Sequence, residues 1–437
     1  MNRLKYLIVL FILILGFWLR SDNYTTWPRH GATFDEFAWT WLGINLVQHK
    51  IPESWSRHPQ YQNREYLKYQ GAAFLLVKPY LEHPPLFGLV AGSFAMLNGA
   101  SDMYHVTLAG IRPLALILGV LSIFTVFLLA KELYGINAGI ISSLLYATIP
   151  TIAVGSRIVQ NENFLIPMWL LSLYLLARYL KTKNILTRNL AILIGGLMPL
   201  AKVPWFVVPI SLFIILSFSK RFKEAFAALG VSLLIFSSFI IYGIYYDKEL
   251  FFGLWQFQMA RYDLTFSGIM PIFTNPLLVD RYYLDGWIYF GFFSMFLLLT
   301  KNLKKNIFVI FPFLAYFLIF IFGIPNEPGH GWYRYPFYPF LIISIALFLK
   351  EYFLKNHLLT LFFFLIVGLS LFQLTWMPVF GFSYAILRGT IFIYSLTLIP
   401  VFINTKSLKK PIKILNYLIF ISLIIMNIWS VLIYNEQ

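Results

Sequence analysis

Met1-Asn2-Arg3-Leu4-Lys5-Tyr6-Leu7-Ile8-Val9-Leu10, continuing apolar to Leu19 and closing on Arg20-Ser21-Asp22, decides how the rest of the chain is read. Two cations precede an apolar run of the length a helix needs to cross a bilayer, about 20 residues. The far flank has no small-x-small cleavage site, so the segment is expected to be an uncleaved signal-anchor helix. The remaining sequence repeats the theme. It is 59% hydrophobic, 19% aromatic and 12% charged over 437 residues, with no cysteine; a soluble domain carries about 25% charged residues. Disulfides and thiolate metal sites are thereby excluded.

Further apolar runs at roughly 105–130, 136–153, 163–180, 189–202, 204–218, 226–246, 284–300, 307–323, 334–349, 358–373, 386–403 and 412–434 bring the expectation to about 13 transmembrane helices. The fold class is therefore an all-α polytopic membrane protein. Residues 189–202 are short for a span and read as a half-helix or a tilted one. With Arg3 and Lys5 in the cytoplasm, the loops on that side hold Lys131, Arg178 to Lys183, Ser219 to Lys223, Lys301 to Lys305, Lys350 to Lys355 and Lys406 to Lys410. Glu132, Glu224 and Glu351 are the acids on that side, and His357 is its one histidine. This bias is the positive-inside pattern, and it explains the net charge of +16 better than nucleic-acid binding does. The expected placement is a multi-pass protein of the plasma (cytoplasmic) membrane, N-terminus inside, with membrane lipids as neighbours.

Two loops on the outer side are long. Residues 21–104 are rich in Trp, Tyr, Pro and His, and Phe37 to Val47 within them suits an interfacial helix. Residues 247–283 carry Trp255, Tyr262, Asp263, Asp280, Tyr282 and Tyr283. No internal repeat or soluble domain is visible, so residues 1–437 read as one membrane domain, with helices alone expected beyond about 340.

The outer face also collects the residues able to do chemistry. Thr33-Phe34-Asp35-Glu36-Phe37 sets two carboxylates among aromatics where the chain has just left the first span. A carboxylate there can take a proton from a hydroxyl or hold a hard cation; a loop start or helix cap is the plain alternative. Glu82-His83-Pro84-Pro85 places a carboxylate and an imidazole before a rigid turn. Arg112 lies inside a span, where it either snorkels to headgroups or meets an anion. Lys202 precedes Val203-Pro204, which breaks a helix and frees backbone groups. Glu162, between Asn161 and Asn163, has helix capping as its competing explanation. His330-Gly331-Trp332-Tyr333-Arg334-Tyr335-Pro336 combines stacking surfaces with a cation. Charges near an interface are costly unless paired or lining a wet cavity, so these groups are expected to share an outward-facing polar pocket.

In order and in sidedness these landmarks resemble the GT-C superfamily of polytopic glycosyltransferases. The branch they are most similar to is that of the protein O-mannosyltransferases and the lipid A aminoarabinose transferases. The carrying residues are Asp35-Glu36, Glu82-His83-Pro84-Pro85, Ile111-Arg112-Pro113-Leu114-Ala115, Tyr134-Gly135, Glu162, Leu200-Ala201-Lys202-Val203-Pro204 and Arg334-Tyr335-Pro336-Phe337-Tyr338-Pro339. The resemblance implies transfer of a sugar from a polyprenyl-phosphate donor to a hydroxyl acceptor on the outer face. It implies Asp35 and Glu36 as catalytic, and Arg112, Lys202 and Arg334 as holding the donor phosphate. Glu82, His83, Glu162, His330 and Tyr335 would bind or orient substrate. A divalent cation, if one is used, would fall to Glu82, His83 and His330. His83 departs from the aminoarabinose type, which often has Lys at this place. The Trp-Trp-Asp-Tyr-Gly signature of oligosaccharyltransferases is absent. A transporter or flippase of lipid-linked sugars would use the same cations and aromatics without catalysis, but such proteins often show repeated halves and a midplane site.

Overall fold

The computed structural model describes residues 2–29, 33–260, 269–274, 277–279, 283–323, 330–403 and 406–436. With no water in the hydrocarbon core, a spanning segment must satisfy its backbone groups internally, and the chain answers with helices. In order they are α1 (Asn2–Ser21), α2 (Asp35–His49), α3 (Leu86–Leu97), α4 (Leu108–Tyr134), α5 (Ile136–Thr148), α6 (Pro150–Gly155), α7 (Asn161–Thr182), α8 (Ile185–Leu197), α9 (Val207–Phe218), α10 (Phe222–Met259), α11 (Pro271–Thr274), α12 (Gly286–Leu299), α13 (Leu303–Gly323), α14 (Tyr338–Glu351), α15 (His357–Leu371), α16 (Met377–Phe380), α17 (Tyr384–Ser395), α18 (Ile399–Phe402) and α19 (Lys406–Leu432). Among the described residues nine helical segments are long and apolar enough to span a membrane. The shorter apolar helices α5, α8, α9 and α12 fall on the remaining four expected spans, so each of the thirteen runs coincides with a helix.

The bundle has two chemically different ends. At one, Lys5 donates to Asn137, Lys131 to Tyr6 (3.0 Å), and Lys181 pairs with Glu132 (2.9 Å). Lys301 pairs with Glu351, and Lys350 donates to the Tyr134 carbonyl (3.2 Å). These contacts gather the basic loops on one side. Helix α14 runs through the middle, buried from Tyr338 to Phe348, as expected of a helix apolar all round. Helix α17 lies at the periphery.

The loop after α1 is more ordered than its composition suggests. The expected interfacial helix is α2, but ten of its residues, Phe37, Trp39 and Trp41 among them, are buried in protein rather than laid on lipid. It packs against α3 through glycines: a Cβ on Gly43 would overlap the Gly88 carbonyl, and one on Gly92 would run into Gly43 and Ile44. Small residues permit this approach. Between α2 and α3 stands a sheet not anticipated from the sequence, with strands β1 (Ser54–Trp55), β2 (Glu65–Tyr69) and β3 (Ala72–Val77) in the order β1-β3-β2, all antiparallel. The β2–β3 hairpin pairs Tyr69 with Ala72 across Gln70-Gly71, both at positive φ (47° and 80°), the geometry of a two-residue hairpin turn. Phe74 of β3 packs edge-on against Trp41, 5.0 Å between centroids, which ties the sheet to α2.

Helix α10 is two helices joined at Asp247, whose backbone is extended (φ −166°, ψ 100°) and whose carboxylate accepts from the Leu250 amide at 2.9 Å. The cap starts a second segment, 248–259, which returns Trp255 and Gln258 toward the sheet. The expected short span at 189–202 is α8 followed by a 3-10 turn, Met198–Leu200, and a second, Val203–Phe206. Lys202 sits at the break between them.

Candidate active site

A cavity of about 310 Å³ opens at the end of the bundle away from the basic loops. Its polar lining is Asp35, His58, Glu82, His83, Glu162, Lys202 and Gln258; its aromatic lining is Trp39, Trp205, Trp255, Tyr316 and Tyr333. Asp35 reaches it from the first turn of α2, and Glu82 and His83 from the turn that Pro84-Pro85 closes before α3. Lys202 enters from the broken α8–α9 junction.

One short segment holds these parts in register. The Val159 amide donates to Glu36 (2.8 Å). Gln160 accepts from the Trp39 indole (3.2 Å) and donates to Asp35 (3.4 Å). Asn161 donates to the Ala201 carbonyl (2.8 Å) and accepts from the Trp205 indole (2.8 Å). Glu162 receives Lys202 Nζ at 2.7 Å, and Asn163 donates to the Gly155 and Ile158 carbonyls. Helix capping therefore does not explain this stretch: no side chain caps α7, residues 159–162 make contacts far along the chain, and Asn163 ties the turn just before it. Lys202 also lies 5.4 Å from the Trp205 ring and 5.0 Å from the Tyr333 ring, inside cation–π range.

Asp35 and Glu36, adjacent in sequence, have different surroundings. Asp35 is half-buried on the cavity wall. Glu36 is fully buried behind it and shares both oxygens with Arg112, at 3.1 Å from Nε and 2.8 Å from Nη2. Thr33 Oγ1 also donates to Glu36. The remaining Arg112 donors go to the Tyr24 and Pro28 carbonyls (2.7 and 2.8 Å). Arg112, expected to meet a phosphate or Asp35, here gives its guanidinium to Glu36 and backbone, and neither Arg112 nor Glu36 lines the cavity. Arg334 was expected to hold the same phosphate. It is buried, donates to the Ile272 (3.1 Å) and Pro271 carbonyls, and does not line the cavity. His330 stacks on Trp332, 4.1 Å between centroids, and Tyr335 is buried against Gly155.

The expected metal trio is not assembled. Glu82 pairs with His58, 3.2 Å from Nε2, and His83 packs against Trp39. No group of three or more His, Asp or Glu among the described residues is placed to hold a metal ion. His58 Nε2 also lies 2.9 Å from Gln258, linking the sheet loop to the end of α10. Burial, then the nearby Glu82 charge, pushes the Tyr61 and Tyr80 hydroxyls well above their ordinary range, so both stay neutral beside this wall. Trp255, singled out in the second outer loop, lines the cavity. Tyr262, Asp263, Asp280 and Tyr282 lie outside the described residues.

Comparison with known proteins bears on the fold. The family described as dolichyl-phosphate-mannose-protein mannosyltransferase matches residues 82–244, a stretch that holds Glu82, His83, Glu162 and Lys202. The chain is similar to the crystal structure of ArnT from Cupriavidus metallidurans bound to undecaprenyl phosphate, at 15% identity and TM-score 0.60, covering 98% of this chain and 76% of that one. It is also similar to the oligosaccharyltransferase AglB from Archaeoglobus fulgidus in complex with an inhibitory peptide and a dolichol-phosphate, at 14% identity and TM-score 0.52. There the coverage is 95% of this chain and 55% of that one, so the chain spans just over half the archaeal protein's length. No curated protein matches the sequence. In fold, the chain is an all-α polytopic membrane protein similar to these membrane transferase structures.

Proposed function

We propose that the chain transfers a sugar from a polyprenyl-phosphate donor to a hydroxyl acceptor at the extracytoplasmic face of the plasma membrane, by inverting displacement. The observation that carries this reading is that Asp35 and Lys202 line one aromatic cavity. The bond between the sugar C1 and the phosphate oxygen breaks, and the phosphate departs with the electron pair toward Lys202. A cation waiting where charge develops stabilises the transition state without reorganising. The acceptor oxygen attacks C1 from the opposite face, and its proton passes to Asp35. Phosphate is a good leaving group, so no separate acid is needed.

The supporting parts follow from the contacts. Glu162 and the Asn161 clamp aim Lys202. Trp39, Trp205, Trp255 and Tyr333 offer faces on which a sugar ring can stack, and Glu82 with His58 and His83 offers hydrogen bonds to the acceptor. Arg112 and Glu36 act from behind, anchoring the first turn of α2 so that Asp35 keeps its place. The loop charges support the sidedness: the cavity lies at the end opposite the basic loops. A lipid-carried donor suits that side, because nucleotide sugars are confined to the cytoplasm.

The test is purified protein supplied with radiolabelled polyprenyl-phosphate sugars and a membrane extract. Label released or passed to an acceptor by the wild type, and not by Asp35→Asn, supports the proposal. Intact donor moved between leaflets would instead indicate a flippase, and wild-type turnover by Asp35→Asn would remove Asp35 as the base.

A further inference from the structure

A second cavity lies elsewhere, at the basic end of the bundle between α8 and α10. It measures about 580 Å³. One part is apolar, lined by Ile192, Leu193, Ala227 and Val231; the other is formed by Arg188, Asn189, Lys223 and Glu224. From Lys223 to Val231 the wall of α10 runs eight residues, about 12 Å at 1.5 Å each. Such a slot suits an acyl chain.

The charges at its mouth are unbalanced. Glu224 is already engaged, accepting from the Tyr179 hydroxyl (3.0 Å) and Arg221 (3.1 Å). Among the described residues neither Arg188 nor Lys223 pairs with a carboxylate. Arg188 is nonetheless held: it donates twice to Asn189 (3.1 and 3.0 Å) and lies 5.9 Å from the Tyr179 ring, which Arg221 approaches at 5.1 Å. Around the opening Leu186, Leu190, Leu193 and Phe226 are exposed. A mouth rimmed with bare leucine and phenylalanine faces hydrocarbon rather than water.

We propose that this cavity binds an anionic phospholipid of the leaflet at the basic end, with its phosphate between Arg188 and Lys223 and one acyl chain along Ala227 and Val231. Charge complementarity selects the headgroup, and the apolar slot selects a lipid over a soluble phosphate. Basic residues near such a leaflet attract anionic lipid individually; two of them lining one slot make a site.

The test uses the full chain purified in detergent and native mass spectrometry. Phosphatidylglycerol, phosphatidylcholine of the same chains, or glycerol 3-phosphate is added. The wild type is expected to retain phosphatidylglycerol in preference to phosphatidylcholine and to retain no glycerol phosphate. The double variant R188Q/K223Q is expected to lose that preference by on the order of ten-fold. A227W, which fills the slot and keeps both cations, is expected to lose the bound lipid. Equal retention of both lipids by the wild type, or an unchanged preference in R188Q/K223Q, overturns the proposal. So does lipid retention by A227W. Retention of glycerol phosphate would make this a soluble-anion site instead.

Discussion

Arg112 Nη2 lies 2.8 Å from Glu36 Oε2, and both side chains are fully buried. The pair stands directly behind the wall that carries Asp35, so neighbouring carboxylates divide the work: one holds the fold, the other faces the cavity.

The first prediction separates them. Arg112→Ala or Glu36→Ala leaves a buried charge without its counterpart, which costs about 3–5 kcal/mol. Yield and thermal stability in detergent should fall for both. Asp35→Asn should leave the unfolding temperature within a few degrees of wild type while turnover drops on the order of 10² to 10⁴. An Asp35→Asn protein as unstable as the other two would mean that Asp35 also is structural.

Lys202 and Glu162, 2.7 Å apart, call for a pair of variants. Lys202→Met should lose turnover by on the order of 10² and also lose stability, because Glu162 is then left alone. Adding Glu162→Gln removes that second problem. The double variant is predicted to regain wild-type stability without regaining activity, measured by thermal unfolding beside donor turnover. Recovery of both would assign Lys202 to folding alone.

Asn161→Ala removes the clamp on Ala201 and Trp205. A buried partner left unsatisfied costs about 1–3 kcal/mol, and the segment bearing Lys202 is released. The expectation is a raised donor KM together with a lowered kcat, since the cation is misplaced in both ground and transition states. A change in stability alone, with both constants intact, would contradict the positioning role.

Gly92→Ala tests the seat of Asp35 from the other side. Its Cβ would meet the backbone of Gly43 and Ile44, forcing α2 away from α3 at about 1–3 kcal/mol for overpacking. Turnover should fall although no residue in the cavity has changed, and crosslinking between cysteines introduced on α2 and α3 should report the wider spacing.

Much of this was legible in the sequence, for identifiable reasons. Spans are visible because lipid imposes a length and a composition, and each expected run is a helix. Asp35, Glu82, His83, Glu162 and Lys202 were marked as polar groups at an interface, and they line one cavity. Arg112, Glu36 and Arg334 were marked by the same rule, but cost alone does not say whether a buried charge meets a ligand or another residue. Glu36 follows Asp35 by one position and so projects from a different side of the helix. The sheet escaped notice although Gln70-Gly71 between two short runs was its turn signal. His58 and Gln160 carry no local pattern, because their partners lie far away along the chain.

Residues 159–162 bind the Asp35 side and the Lys202 side of the cavity to a single turn at the head of α7. Those two walls cannot part without breaking that set of hydrogen bonds together. Whatever widening a bulky guest demands must therefore come from the remaining side, where Trp255, Gln258 and Tyr333 stand on other elements. The range of sugars accepted should depend more on those three residues than on the pair that would do the chemistry.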